Sequence, residues 1–188
     1  MRGEPRAHYP IGDKPARQRT IAKSLWFTLP GTYAVIALAY AALPPLPGVG
    51  EATARLVLAL RWLPVALLPY AAVCLVILMQ RFFEGAHNPL RGEESEGLAI
   101  HCRVMHNTLE QLVWFVLCLL ALATWLDAGQ ARLIPIVCVA FAVARLVYWW
   151  GYLRQGTLGR APGVQMTFAI NVGMLGAVVV RLVGGAAV

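Results

Sequence analysis

The run CRVMHNTLEQLVWFVLCLL, residues 102–120, decides how the chain is read. Arg103, Asn107 and Glu110 fall at i, i+4 and i+7, which at about 100° per residue share one narrow helical face. From Leu112 onward the same run is almost wholly apolar. A cation, an amide and an anion therefore sit on one stripe just where a helix leaves water for a membrane. Ionisable groups at membrane depth cost roughly 2.5–3.5 kcal/mol each on insertion scales, so they pair, line a cavity or do work. The stripe reads as a site.

Composition agrees on the solvent. Of 188 residues, 59% are hydrophobic and 13% charged, whereas a soluble domain is about a quarter charged. Apolar stretches run over Leu25–Leu43, Trp62–Phe83, Leu112–Leu126, Leu133–Trp150 and Val164–Val183. A helix needs about 20 residues to cross the hydrocarbon. The third stretch is short by that measure, so its helix is expected to begin near Leu98 and to carry the polar stripe. The fold class is an all-α integral membrane protein. Ala39-Tyr40-Ala41 resembles a signal-peptidase site, but the long charged tail and Pro30-Gly31 favour a retained helix, kinked at Pro30.

Charge orients the bundle. Arg2, Arg6, Lys14, Arg17, Arg19 and Lys23 crowd the tail; Arg81, Arg91, Arg103, Arg154 and Arg160 flank connections on the same side if every stretch crosses. The other side holds Arg55, Arg61, Arg132 and Arg181. Lys and Arg excess marks the cytoplasm, so tail and stripe are expected there, in a bacterial-type inner membrane. The net charge of +7 suits anionic lipid heads and calls for no nucleic acid. Cys74, Cys118 and Cys138 lie in apolar spans and suggest no disulfide framework. Cys102 and His106 could share a face at i, i+4 with His101 adjacent, but a metal site wants three or four ligands with satisfied second shells and nothing else supplies them, so no metal is expected.

Two further regions face the same side. His87-Asn88-Pro89-Leu90-Arg91 forms a turn, with Pro89 ending the preceding helix, and Gly92-Glu93-Glu94-Ser95-Glu96 places acids at the next helix start. Later, Arg145, Tyr148 and Tyr152 lie at i, i+3 and i+7, again one face, while Trp149 and Trp150 read as interfacial anchors. Arg145 sits about two turns inside its span, and a buried guanidinium wants a carboxylate or several acceptors. Glu110 is the expected partner, and a purely structural ion pair is the bland alternative.

Arg103-x-x-x-Asn107-x-x-Glu110 followed by Ala144-Arg145-Leu-x-Tyr148-x-x-Gly151-Tyr152, with Asn88-Pro89 before them, resembles the membrane-associated proteins in eicosanoid and glutathione metabolism, the MAPEG family. The resemblance covers about residues 73–183. It implies a four-helix transmembrane bundle over 56–188, with a basic cytoplasmic tail at 1–24 and an extra N-terminal helix at 25–46. It also implies a homotrimer binding glutathione between subunits, with a lipophilic electrophile entering from the bilayer lipid. Position by position, Arg103, Asn107, Glu110, Arg145, Tyr148 and Tyr152 match residues that hold glutathione or shape its pocket. Glutathione carries two carboxylates and an amine, for which arginines and a glutamate are the complementary groups.

Catalysis needs a thiolate, and lowering a thiol pKa by two units takes about 2.7 kcal/mol of preferential anion stabilisation. Catalytic relatives supply it near the start of the last helix. Aligned on Ala161-Pro162, the positions of the activating arginine become Gly159 and Val164. Arg160, one residue away, and the Tyr152 hydroxyl are the candidate replacements. The resemblance thus implies a glutathione-dependent transferase or peroxidase. The family's other kind of member, a non-catalytic lipid-binding or partner-activating membrane protein, is the alternative.

Overall fold

The computed structural model describes residues 14–85 and 94–185, with side chains described for 18–85 and 94–184. Five helices follow one another: α1 (Lys14–Ala42), α2 (Ala52–Glu84), α3 (Glu96–Trp125), α4 (Leu133–Gly159) and α5 (Ala161–Gly185). Each is long and apolar enough to cross a membrane, and no strand is present among the described residues. The protein is an all-helical integral membrane protein. Burying every backbone N–H and C=O inside its own helix is the solution a bilayer demands of such segments.

The helix ends have local causes. Pro44 and Pro45 follow α1. Gly85, at φ 68°, takes the left-handed turn that closes α2, where a side chain would be strained. Ser95 caps α3, its Oγ accepting from the Leu98 amide at 3.2 Å, and Glu96 lies in the first turn. The polar stripe and the third apolar stretch are indeed one helix, which begins two residues before Leu98. The Asn88-Pro89 turn lies outside the described residues. At the other end of α3, Asp127 Oδ1 accepts from the Gln130 amide at 2.8 Å and turns the chain into α4.

Two boundaries differ from expectation. α1 starts at Lys14 rather than near Leu25 and runs through Pro30 as one helix, so much of the basic tail is helical. α2 begins at Ala52, directly after Glu51, where the Pro/Gly-rich connection ends.

α2 pairs with α3 and α4, and α5 packs against α3 and α4; α1 lies along α5 and α4. Small residues sit where helices meet: Ala59, Ala66, Ala123 and Ala144 are fully buried, which lets backbones approach closely without help from the hydrophobic effect. One apolar cluster centres on Phe115 and Phe141, ring centroids 4.4 Å apart, and a second on Val73, Leu98, Val104 and Tyr148. Polar latches tie α1 to α5, beside the packing of Ile36 on the core. Tyr33 Oη donates to the Ala169 carbonyl at 2.8 Å, and Gln165 Nε2 donates to the Ile21 carbonyl at 2.9 Å and to Ser24 Oγ at 2.8 Å. Gly173 is where Tyr33 lies close against α5.

Candidate functional site

Arg145 is the centre of the polar interior. It projects from α4 into the seam between α3 and α5, where it is 1% exposed. Its Nη2 donates to Thr108 Oγ1 at 2.9 Å and to Asn107 Oδ1 at 3.0 Å, and its Nε donates to Thr108 Oγ1 at 3.2 Å. Nη1 reaches Thr167 Oγ1 of α5 at 3.5 Å, and Thr167 itself donates to the Gly163 carbonyl at 2.8 Å. The guanidinium also lies 4.1 Å from the centre of the Tyr148 ring. One side chain thus ties three helices together through neutral acceptors and a π face.

The expected Glu110–Arg145 pair does not form. Helical phase explains why. Taking Asn107 as zero at about 100° per residue, Thr108 lies near +100°, whereas Arg103 and Glu110 lie near −40° and −60°. Arg145 approaches from the Thr108 side, where Thr108 is buried and Asn107 half-buried, while Arg103 and Glu110 are exposed. The stripe is one face, but only its edge meets Arg145. Among the described residues, the ion pair is Arg81 Nη2 to Glu94 Oε1, at 2.6 Å.

The second face comes together as read. Arg145, Tyr148 and Tyr152 are all buried on α4. Tyr148 and Tyr152 rings meet edge-on at 6.0 Å, and the Arg160 guanidinium lies 4.9 Å from the Tyr152 ring. An Arg–Tyr–Tyr–Arg ladder therefore runs from the interior to the α4–α5 junction. The Tyr148 hydroxyl is buried with no hydrogen-bond partner among the described residues. Trp150 is exposed as an anchor should be, but Trp149 is half-buried edge-on to His101, 5.8 Å between centroids. His101 Nδ1 meets Gln80 Oε1 at 2.8 Å, which spends it on the α2–α3 hairpin. His106 sits beside its own helix, with Nδ1 3.3 Å from the Cys102 carbonyl oxygen.

The α4–α5 junction owes its shape to glycines. α4 leaves helical geometry at Gln155 (φ −136°) and Gly156 (φ 59°, ψ −133°), the latter a conformation that disfavours a side chain. The break folds the last turn back so that Gly159 lies on Gly151, and a Cβ on either would collide with the other's carbonyl oxygen. Gly163 lies equally close on the backbone of Tyr148. Position 159 therefore has no room for an arginine.

Thr108, Thr167, Gly163 and Gln111 belong to this polar interior and were not singled out from sequence, and Asn171 was read only as a polar interruption of the last span. Asn171 Nδ2 donates to both the carbonyl and Oε1 of Gln111 at 3.0 Å, a second polar tie between α3 and α5. A signal was there: Gly163, Thr167 and Asn171 recur every four residues along an otherwise apolar helix.

Residues 59–180, from the first turns of α2 to near the end of α5, match the MAPEG family. The chain belongs to the MAPEG family. The MAPEG match contains every residue of the Arg145 network and leaves α1 outside it. Transmembrane protein 79 of Mus musculus is 29% identical over 138 residues, covering 73% of this chain and 35% of that protein. The chain spans about a third of the length of that relative. No solved structure matches.

Proposed function

We propose that this MAPEG protein binds glutathione on the Arg103–Asn107–Glu110 face of α3 and acts as a transferase or peroxidase on lipophilic electrophiles. The observation that carries the reading is the outward presentation of that face, with Asn107 locked from behind. A guanidinium has donors and no acceptor, so Arg145 can only be met by the amide oxygen of Asn107. That leaves the Asn107 Nδ2 donors uncommitted to Arg145 on a half-buried side chain. Arg103 and Glu110 are separated by seven positions, about 10.5 Å along the axis. A tripeptide spans about 10 Å when extended, so a cation, an amide donor and a carboxylate fit the charges and length of glutathione.

Glu110 adds a second argument. It lies near the middle of a 30-residue helix, between the exposed Leu109 and Val113. A carboxylate turned to lipid within an apolar span is costly. A ligand amine, a neighbouring subunit, or both would relieve the cost, which supports a homotrimer with glutathione at its subunit seams. Arg145 and Tyr148 are sealed inside the chain, so in this reading they position Asn107 rather than touch glutathione. Tyr152 and Arg160 are the groups that this reading assigns to thiol activation, without a metal. The four-helix unit would be α2–α5, with α1 an addition. In this reading the site faces the cytoplasm, which the basic residue bias supports, and the membrane is a bacterial-type inner membrane.

One observation favours the non-catalytic alternative. Position 159 is closed to any side chain, so the activating arginine cannot be restored there, and Arg160 stands on Tyr152 instead. Titrating glutathione into the detergent-solubilised protein at neutral pH, following thiolate absorbance beside calorimetry, separates the cases. Saturable thiolate formation is the expected result. Binding without thiolate would leave recognition and remove catalysis, and no binding would overturn the proposal.

A further inference from the structure

A cavity of about 620 Å³ lies between α1 and the α4–α5 pair, away from Arg145. Gly31, Val35 and Ala39 form its α1 wall, Val139 and Val143 its α4 wall, and Met166 closes it from α5. Its volume is in the range of small-molecule sites, about 300–1,000 Å³. Along α1 it extends from Thr28 to Leu43, which at about 1.5 Å per residue is roughly 22 Å. One leaflet of a bilayer contributes about 15 Å of hydrocarbon. The groove therefore matches one extended acyl chain with a few ångströms to spare. Its buried wall hydroxyl, Thr32, donates back to the Thr28 carbonyl at 2.7 Å and offers no hydrogen to a ligand.

Polar chemistry gathers at the Leu43 end. Arg132 Nη1 donates to the Leu43 carbonyl oxygen, and its guanidinium stacks 3.9 Å from the centre of the Tyr40 ring. Arg132 Nε has no hydrogen-bond partner among the described residues. The carboxylate in the same connection, Asp127, is turned to the Gln130 amide, and no ion pair with Arg132 forms among the described residues. A cation with no carboxylate partner among the described residues thus stands at the rim of a groove that is otherwise hydrocarbon. The molecule with that polarity profile has a long apolar chain and an anion at one end.

We propose that this groove holds one acyl chain of a phospholipid from the leaflet at the Leu43 end, with the lipid phosphate against Arg132. The α1 wall lies outside the residues matched to the MAPEG family, so the site is one that the first helix creates. It is independent of glutathione. Two variants fill the groove: Gly31→Phe, where a Cβ meets nothing within 4 Å, and Ala39→Phe. Arg132→Gln removes the cation and leaves the groove open.

Native mass spectrometry and lipid extraction of the full chain, purified in mild detergent, test the idea. The wild type should retain about one phospholipid per chain, and either filled variant should retain it about tenfold less, a difference of roughly 1.4 kcal/mol. Arg132→Gln should keep chain binding but lose the preference for anionic over zwitterionic heads. Unchanged elution and helical content verify that the filled variants are folded. The proposal is overturned if the wild type keeps no phospholipid, if both filled variants keep as much as wild type, or if the retained chain carries no phosphate.

Discussion

Replacing Thr108 with valine keeps the shape of the side chain and removes one atom, the oxygen that accepts from Arg145 at 2.9 and 3.2 Å. The guanidinium would remain in place, 1% exposed, with Asn107 Oδ1 at 3.0 Å and the longer Thr167 contact at 3.5 Å. Hydrogen bonds to a charged group contribute about 1.5–3 kcal/mol in soluble proteins. Interhelical polar contacts measured in a membrane protein average about 0.6 and reach about 1.7 kcal/mol. A buried cation with few acceptors belongs at the upper end, so the expected loss is about 1.5–2 kcal/mol.

The informative quantity is the difference between backgrounds. In Arg145→Met there is no charge to leave unsatisfied, and Thr108→Val should then cost less than about 0.5 kcal/mol. Reversible unfolding in mixed micelles of mild detergent and SDS, followed by circular dichroism, gives all four corners of the cycle. A coupling of at least about 1 kcal/mol is expected. Equal costs of Thr108→Val in both backgrounds would refute the view that Arg145 is held by neutral acceptors.

Other consequences are sharper in sign than in size. Asn107→Asp sets a carboxylate against Arg145 and removes the outward amide donor, so calorimetry should show stability kept while glutathione affinity falls about tenfold. Unchanged affinity would remove Asn107 from the pocket. Gly159→Arg restores the family's arginine position but drives a side chain into the Gly151 carbonyl; thermal unfolding should move down by several degrees with no gain in thiolate, whereas a gain would show that the α4–α5 junction can open. Arg55→Met strips the buried guanidinium that donates to the Ala123 carbonyl at 3.2 Å and to the Val49 carbonyl at 3.1 Å. Those carbonyls lose their charged donor, and the same unfolding assay should record a loss of about 1–3 kcal/mol.

How far the sequence could be read follows from which physical variable it encodes. Hydropathy reports depth in the membrane, so the five helices and the start of α3 were visible. Periodicity reports the angle between residues on one helix, so Arg103, Asn107 and Glu110 were correctly placed on one stripe. Neither reports the angle between two helices. Pairing Arg145 with Glu110 required that missing rotation, and at about 100° per residue Thr108, not Glu110, is the neighbour turned toward α4. The kink at Gln155-Gly156 was hidden for a related reason. A glycine in an apolar helix is common in membranes, and only its close contacts distinguish a break from a tolerated residue.

The same rotation divides the polar groups of α3 into two sets with different demands. Thr108 and Gln111 turn inward and are consumed: one by Arg145, the other by Asn171. Arg103 and Glu110 turn outward, and Asn107 stands on the border with its oxygen inside. An inward set of neutral acceptors can hold a buried guanidinium in one place, as Arg145 is held between three helices. An outward set containing a mid-span carboxylate is poorly matched to lipid, since nothing in hydrocarbon competes for its charge. The inward acceptors are therefore used within the chain, although the Tyr148 hydroxyl is left over, while the Glu110 carboxylate stands on the outer surface of the bundle. In the glutathione reading, a neighbouring subunit or an ionic ligand would meet Glu110 on that face.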